Sequence, residues 1–227
     1  MNAPATLISF PASDLIRFFA DVLPPPMDGE VFVAARLPPK RGTADKPPMF
    51  HSYVATHEEL ASHFAAAVAS GGDQYFALAR YRPHTTDKGY PGRRGDYVVA
   101  VKACWLDLDC GPGKAKSGEG YATQKEALSA LKAVLDTAGL PEPTYLVSSG
   151  FGLHTYWCFD HAVSAVDWEP VATRFKALTE AYGLKVDPSR TADVASVLRP
   201  PGTLNHKSTP PKPVVIMHRG SLIDFAG

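Results

Sequence analysis

The chain has 227 residues, 45% of them hydrophobic, which is enough to bury a sizeable core in one large domain or in two small lobes sharing a cleft. Its 23 basic and 23 acidic residues balance, which excludes a histone-like or polybasic protein and leaves nucleic-acid binding to a local patch. Three cysteines without a pairing pattern exclude a disulfide framework and point to a reducing compartment. With no signal-peptide pattern and no apolar run of roughly 18 residues, the expectation is a soluble cytoplasmic protein without a membrane partner.

In chain order, a short helix is expected over 13–22 and a strand over 30–35 (EVFVAA). A helix opens at Thr56, whose Ser/Thr-x-x-acid pattern is completed by Glu59, carries Leu60, Phe64 and Val68 on one face, and stops at Gly71. Strands follow over 74–80 (QYFALAR) and 97–109 (YVVAVKACWLDLD). Thr123 and Glu126 open a second capped helix, with Leu128, Leu131 and Leu135 inward and Gly139 at its end. Strands at 144–149 and 153–159 precede a third helix, from Ser164 and Asp167 to Gly183, with Val171, Phe175, Leu178 and Tyr182 as its apolar stripe. A short strand over 184–187 and another over 213–217 complete the set. Strands and helices mix without strict alternation, so the expected class is α+β (mixed α/β) rather than a doubly wound parallel sheet.

The chemistry concentrates in three segments. In Trp105-Leu-Asp-Leu-Asp109, side chains two apart share a face of the strand, roughly 7 Å apart along it. Asp107 and Asp109 therefore project together, while Cys104, Leu106, Leu108 and Cys110 face a core. Two such carboxylates repel each other, and a divalent cation removes the cost; oxygen ligands suit magnesium or manganese. Taken alone, the pair is as readily two solvated acids at a strand end.

Residues 148–157 read SSGFGLHTYW. Ser149 ends a strand, Gly150 and Gly152 permit a tight turn offering N–H groups to an anion, and His154 starts the return strand as a phosphate contact. In the third segment, Asp187 follows Leu-Lys-Val, and the proline-stiffened stretch from Arg199 carries Asn205, His206 and Lys207, a set suited to triphosphate oxygens.

Other motifs dissolve on inspection. GPGKAKSG (111–118) lacks the P-loop spacing and reads as a mobile basic loop. HEELASH is not a zinc motif, because His57 and His63 lie off one helical face. Arg80, Arg82, Arg93 and Arg94, interleaved with tyrosines, are candidates for contacts to a single-stranded template.

Together the three segments resemble the archaeo-eukaryotic primase superfamily, most closely the primase–polymerase domains of phage and plasmid replication proteins. That family is marked by an acid-x-acid strand (Asp107, Asp109), a later His on a strand after a small-residue turn (His154), a hydrophobic-Asp segment (Asp187) and a stretch like LRPPGTLNHK. The resemblance implies an RRM-like catalytic lobe over 97–217, an N-terminal α/β lobe over 1–96, and a tail or linker over 218–227. It implies two magnesium or manganese ions on Asp107, Asp109 and Asp187, with Asp193 a second candidate for the third carboxylate. His154, Arg199 and Lys207 would neutralise the phosphates of an NTP or dNTP, Ser149, Gly152 and Asn205 would line the nucleotide site, and single-stranded DNA would be the template. Relatives often work with a helicase in the same or another chain. A manganese-dependent nucleotide-sugar glycosyltransferase and a non-catalytic single-strand-binding module are the competing readings.

Overall fold

A computed structural model of the chain describes residues 10–39, 48–68 and 71–225. Three helices begin where their caps predict. The Thr56, Thr123 and Ser164 hydroxyls accept the N–H groups of Glu59, Glu126 and Asp167, so α2 (His57–Ala67), α4 (Gln124–Ala138) and α5 (Ala165–Ala181) start on satisfied donors. α1 (Ala12–Val22) buries Phe18, Phe19 and Val22. The stripe expected on α5 is rotated: Trp168, Ala172 and Thr179 face inward, while Val171 and Tyr182 are exposed. The Trp168 indole sets this rotation by donating to the Ala103 carbonyl and stacking on Trp105.

Among the described residues all paired strands are antiparallel. β1 (Phe32–Leu37), β2 (Phe50–Val54), β3 (Asp73–Ala77) and β8 (Val197–Leu198) form a sheet in the order β2-β1-β3-β8. β4 (Ala79–Tyr81), β5 (Val98–Asp109), β6 (Tyr145–Ser148), β7 (Gly152–Ser164) and β11 (Val215–Arg219) form the second, in the order β11-β6-β7-β5-β4. β9 (Leu204–Asn205) and β10 (Lys212–Pro213) make a small ribbon. The run β5-α4-β6-β7-α5, with β6-β7-β5 side by side, is the RRM-like part. In a βαββαβ unit the strand after the second helix closes the sheet beside the first strand; here β4, from upstream, takes that place.

The expected strand over 74–80 is two strands. Leu78 alone separates β3 from β4, and the chain passes there from one sheet to the other. β8 meanwhile pairs back onto β3, so strands cross the expected lobe boundary at 96/97 in both directions. The tail is docked: Ile223 exchanges backbone bonds with Cys158 and Asp160, and Phe225 packs edge-on against Phe159. The expected loop at 111–118 holds a short helix, α3 (Pro112–Ser117). All three cysteines are free and buried, and no described helix is long and apolar enough to cross a membrane.

β5 and β7 lie against each other from Ala100/Ser164 to Asp109/Gly152, the longest pairing among the described residues. A Cβ at Gly152 would sit 2.4 Å from the Leu108 carbonyl oxygen. Gly152→Ala is expected to destabilise the fold by about 2–4 kcal/mol, because backbone on both sides must shift; thermal melting against wild type measures it.

Candidate active site

The two-residue repeat of β5 places Asp107 and Asp109 on one face, while Cys104, Leu106, Leu108 and Cys110 are buried as expected. Across the strand pair, Asp107 stands opposite His154 and Asp109 opposite Gly152. Asp187 arrives from the far side by a backbone bond: its N–H donates to the Asp107 carbonyl at 2.8 Å. No strand forms at 184–187; the segment is extended coil, pinned instead by the Tyr121 hydroxyl, which accepts from Lys185 N–H, and by the Trp105 indole, which donates to the Arg190 carbonyl. Asp193 is spent elsewhere, its oxygens accepting from Ala195 N–H and the Ser196 hydroxyl.

The electrostatics around Asp107 follow. Burial first, then the charges of Asp109 and Asp187, push its carboxyl up to about 7, with Lys207 and Arg199 pulling the other way. His154 is 2% exposed, with Nε2 3.8 Å from an Asp107 oxygen. Burial, reinforced by Arg199 and Lys207, lowers the imidazole to about 3. That direction favours the uncharged imidazole in the unliganded chain, where it donates through one ring nitrogen. Its Nδ1 lies 3.5 Å from the Tyr156 hydroxyl.

Each outer carboxylate already holds a cation of the chain. Asp109 meets Lys114 Nζ at 2.9 Å, and Asp187 meets Arg190 Nε at 3.6 Å while also accepting from Ser189. Among the described residues, no three acidic, His or Cys side chains converge closely enough to enclose one ion. The donor chemistry still suits a hard cation: Asp109 and Asp187 border the mouth at Asp107 closely enough to repel its buried charge, and carboxylate oxygens are the ligands such an ion takes. Lys114, expected on a mobile basic loop, is instead carried by α3 to Asp109.

Arg199 is 8% exposed and held from two sides, donating to Asp73 at 3.1 Å and to the Tyr75 hydroxyl at 2.7 Å. Asp73 also accepts from His206 N–H. Neither Asp73 nor Tyr75 was singled out in the sequence; the signal was their two-residue spacing at the head of β3. Lys207 is exposed at the mouth, and with Asp73 and His206 it lines a cleft of about 600 Å³ bounded on its far side by Leu37 and Pro38.

The glycine turn is tied down internally. Gly150 N–H donates to the Ser148 hydroxyl, Ser149 N–H to the Gly152 carbonyl, and the Asn205 amide to the Ser149 carbonyl at 2.6 Å. Gln124, unmarked in the sequence, bonds the Ser148 hydroxyl and the Gly152 carbonyl. Gly150, Ser149 and Asn205 thus shape the wall of the site, with these donors already engaged. Of the four arginines expected at the template, Arg80 is withdrawn: it is 5% exposed, paired with Glu30 and bonded to the Pro25 carbonyl. Arg82 and Arg94 are exposed, Arg94 pairing with Asp96 at 2.7 Å, and Arg93 is half-buried.

By sequence, no family model and no curated protein matches the chain. By structure, it has the fold of the archaeo-eukaryotic type of primase–polymerase. It is similar to the AEP domain of the cyanophage S-2L primase–polymerase (TM-score 0.65, 17% identity), with 95% of each chain covered. It is also similar to the primase RepB′ (TM-score 0.52, 15% identity), with 93% of this chain and 58% of that one covered.

The unfolded Asp107 carboxyl titrates near 3.8 and the folded one near 7, so the native state holds the extra proton and stability falls as pH rises through that window. With metal chelated, Asp107→Asn is expected to melt several degrees above wild type at pH 8, roughly 2–4 °C for each kcal/mol recovered. The gap closes by pH 4, and a pH series of melting curves measures it.

Proposed function

We propose that the chain is a metal-dependent DNA primase–polymerase that transfers nucleotides from NTP or dNTP substrates onto a growing strand along a single-stranded DNA template. The reading is carried by a primase–polymerase fold on which the charges of Asp109 and Asp187 bear on the Asp107 carboxyl, beside an arginine held by two partners. The three aspartates would hold two magnesium or manganese ions, which when bound supply a lowered pKa at the attacking 3′-hydroxyl and charge stabilisation at the leaving pyrophosphate.

The remaining work falls to the chain's own side chains. Asp73 and Tyr75 hold the Arg199 guanidinium in a fixed orientation toward the mouth, and Lys207 adds a mobile charge. His154, uncharged, offers a single hydrogen bond at the floor. The cleft beside Asp73 and Lys207 has the volume for a nucleotide. Arg82, Arg93 and Arg94 are the candidates for template contact. A module that merely binds nucleic acid gains nothing from clustered carboxylates, which repel phosphate.

The test is primer synthesis or extension on single-stranded DNA by the purified chain with magnesium or manganese. Asp107→Ala and Asp187→Ala are each expected to lose at least about a thousandfold in rate, as for groups that hold a catalytic charge. Template binding that ignores metal, with no nucleotide incorporated, would overturn the proposal, as would turnover of a nucleotide sugar. Arg199→Lys is expected to raise KM for the nucleotide about tenfold or more, because a lysine cannot reproduce the fork held by Asp73 and Tyr75; steady-state kinetics measure it.

A further inference from the structure

α3 starts three residues after Asp109 and is stitched to the end of β5. Tyr121 N–H donates to the Asp109 carbonyl, Gly111 N–H to the Tyr121 carbonyl, and Gly120 N–H to the Lys114 carbonyl. This closed loop fixes the root of Lys114 directly over the strand end. Its ammonium bridges two carboxylates, Asp109 at 2.9 Å and Glu119 at 3.2 Å. The Lys114 and Asp109 side chains are 40% and 24% exposed, so the pair is in contact with solvent and open to exchange. Glu119 is 65% exposed and faces no other described cation.

We propose that Lys114 is a built-in competitor for the divalent cation at Asp109, and that Glu119 tunes it by drawing the ammonium away. This rests on the reading of the three aspartates as a metal site. An ammonium already drawing on the Asp109 carboxylate lowers the charge it can offer a metal ion and repels that ion, so part of the free energy of the lysine pair is subtracted from the affinity for the ion. A lysine is suited to the part: a compact charge on a flexible stem leaves one carboxylate for another without moving the backbone. Once displaced, it stays beside the mouth, tethered by α3, as a cation free to meet phosphate. The site thereby couples release of an internal counter-ion to metal loading.

The experiment is manganese binding to the full chain, measured by calorimetry and by the electron paramagnetic resonance signal of free Mn²⁺, with no nucleotide or DNA present. Lys114→Met keeps the length of the stem and removes the charge; it is expected to tighten Mn²⁺ binding about three- to tenfold, the scale of a partly exposed ion pair. Glu119→Gln, which leaves the ammonium to Asp109 alone, is expected to weaken it about twofold or more. In the double variant Glu119 has nothing left to act on, so its affinity should equal that of Lys114→Met. Unchanged or weaker binding by Lys114→Met overturns the proposal, as does strict additivity in the double variant, which would mark only long-range charge. Absence of Mn²⁺ binding by wild type would overturn the metal reading itself. Metal-free melting curves and circular dichroism establish that each variant is folded.

Discussion

One backbone hydrogen bond, from the N–H of Asp187 to the carbonyl of Asp107, organises this molecule's chemistry. Asp107 and Asp109 are local neighbours, placed by the pleat of a single strand. Asp187 lies 80 residues further along the chain and reaches them through no sheet or helix of its own. The bond makes β5 the common scaffold for all three carboxylates. Trp105, two residues upstream on that strand, adds a second tie by reaching the Arg190 carbonyl. Holding three like charges together costs free energy, visible in the upward displacement of Asp107, and the long β5–β7 pairing and the buried Trp105–Trp168 stack are what oppose it.

The site answers that cost with cations from its own chain, in graded degrees of commitment. Arg199 is buried and held by two partners, so it is a fixed feature. Arg190 and Lys114 sit in looser, partly exposed pairs, and Lys207 has open solvent around it. The basic groups around the site thus differ in restraint, from a buried, doubly held arginine to an exposed lysine. A rigid group can select geometry, while a loose one can follow charge as it moves.

What the sequence shows of this arrangement depends on the distance over which each feature is decided. Helix caps at Thr56, Thr123 and Ser164 are decided within four residues and read correctly. So does the inward alternation around Asp107. β2 and the two-residue strands β8, β9 and β10 exist only through their partners, and nothing local marks them. Arg80 looked available because its partner, Glu30, lies 50 residues away. The burial of His154 could not be read locally, since it depends on the strands that flank it, with Asp107 on one side and Val147 on the other. The rotation of α5 was missed because Trp168, at the helix start, outranks the regular stripe that follows it. The likeness to primase–polymerases was legible in three short segments even though identity to solved relatives is only 15–17%.

The passage from β3 to β4 through Leu78 ties these two halves together. Asp73 and Tyr75, which aim Arg199, stand on β3; β4 pairs directly with β5, which bears the aspartates. The Arg199 side of the mouth, on β3, and the strand that bears Asp107 and Asp109 are thus joined through β4, which continues β3 with only Leu78 between them and is hydrogen-bonded along β5. The spacing between the two sides is set like the gap of a fixed calliper rather than a closing jaw. Freedom at the mouth is left to side chains and to the segments carrying Lys114 and Lys207, which lie outside both large sheets.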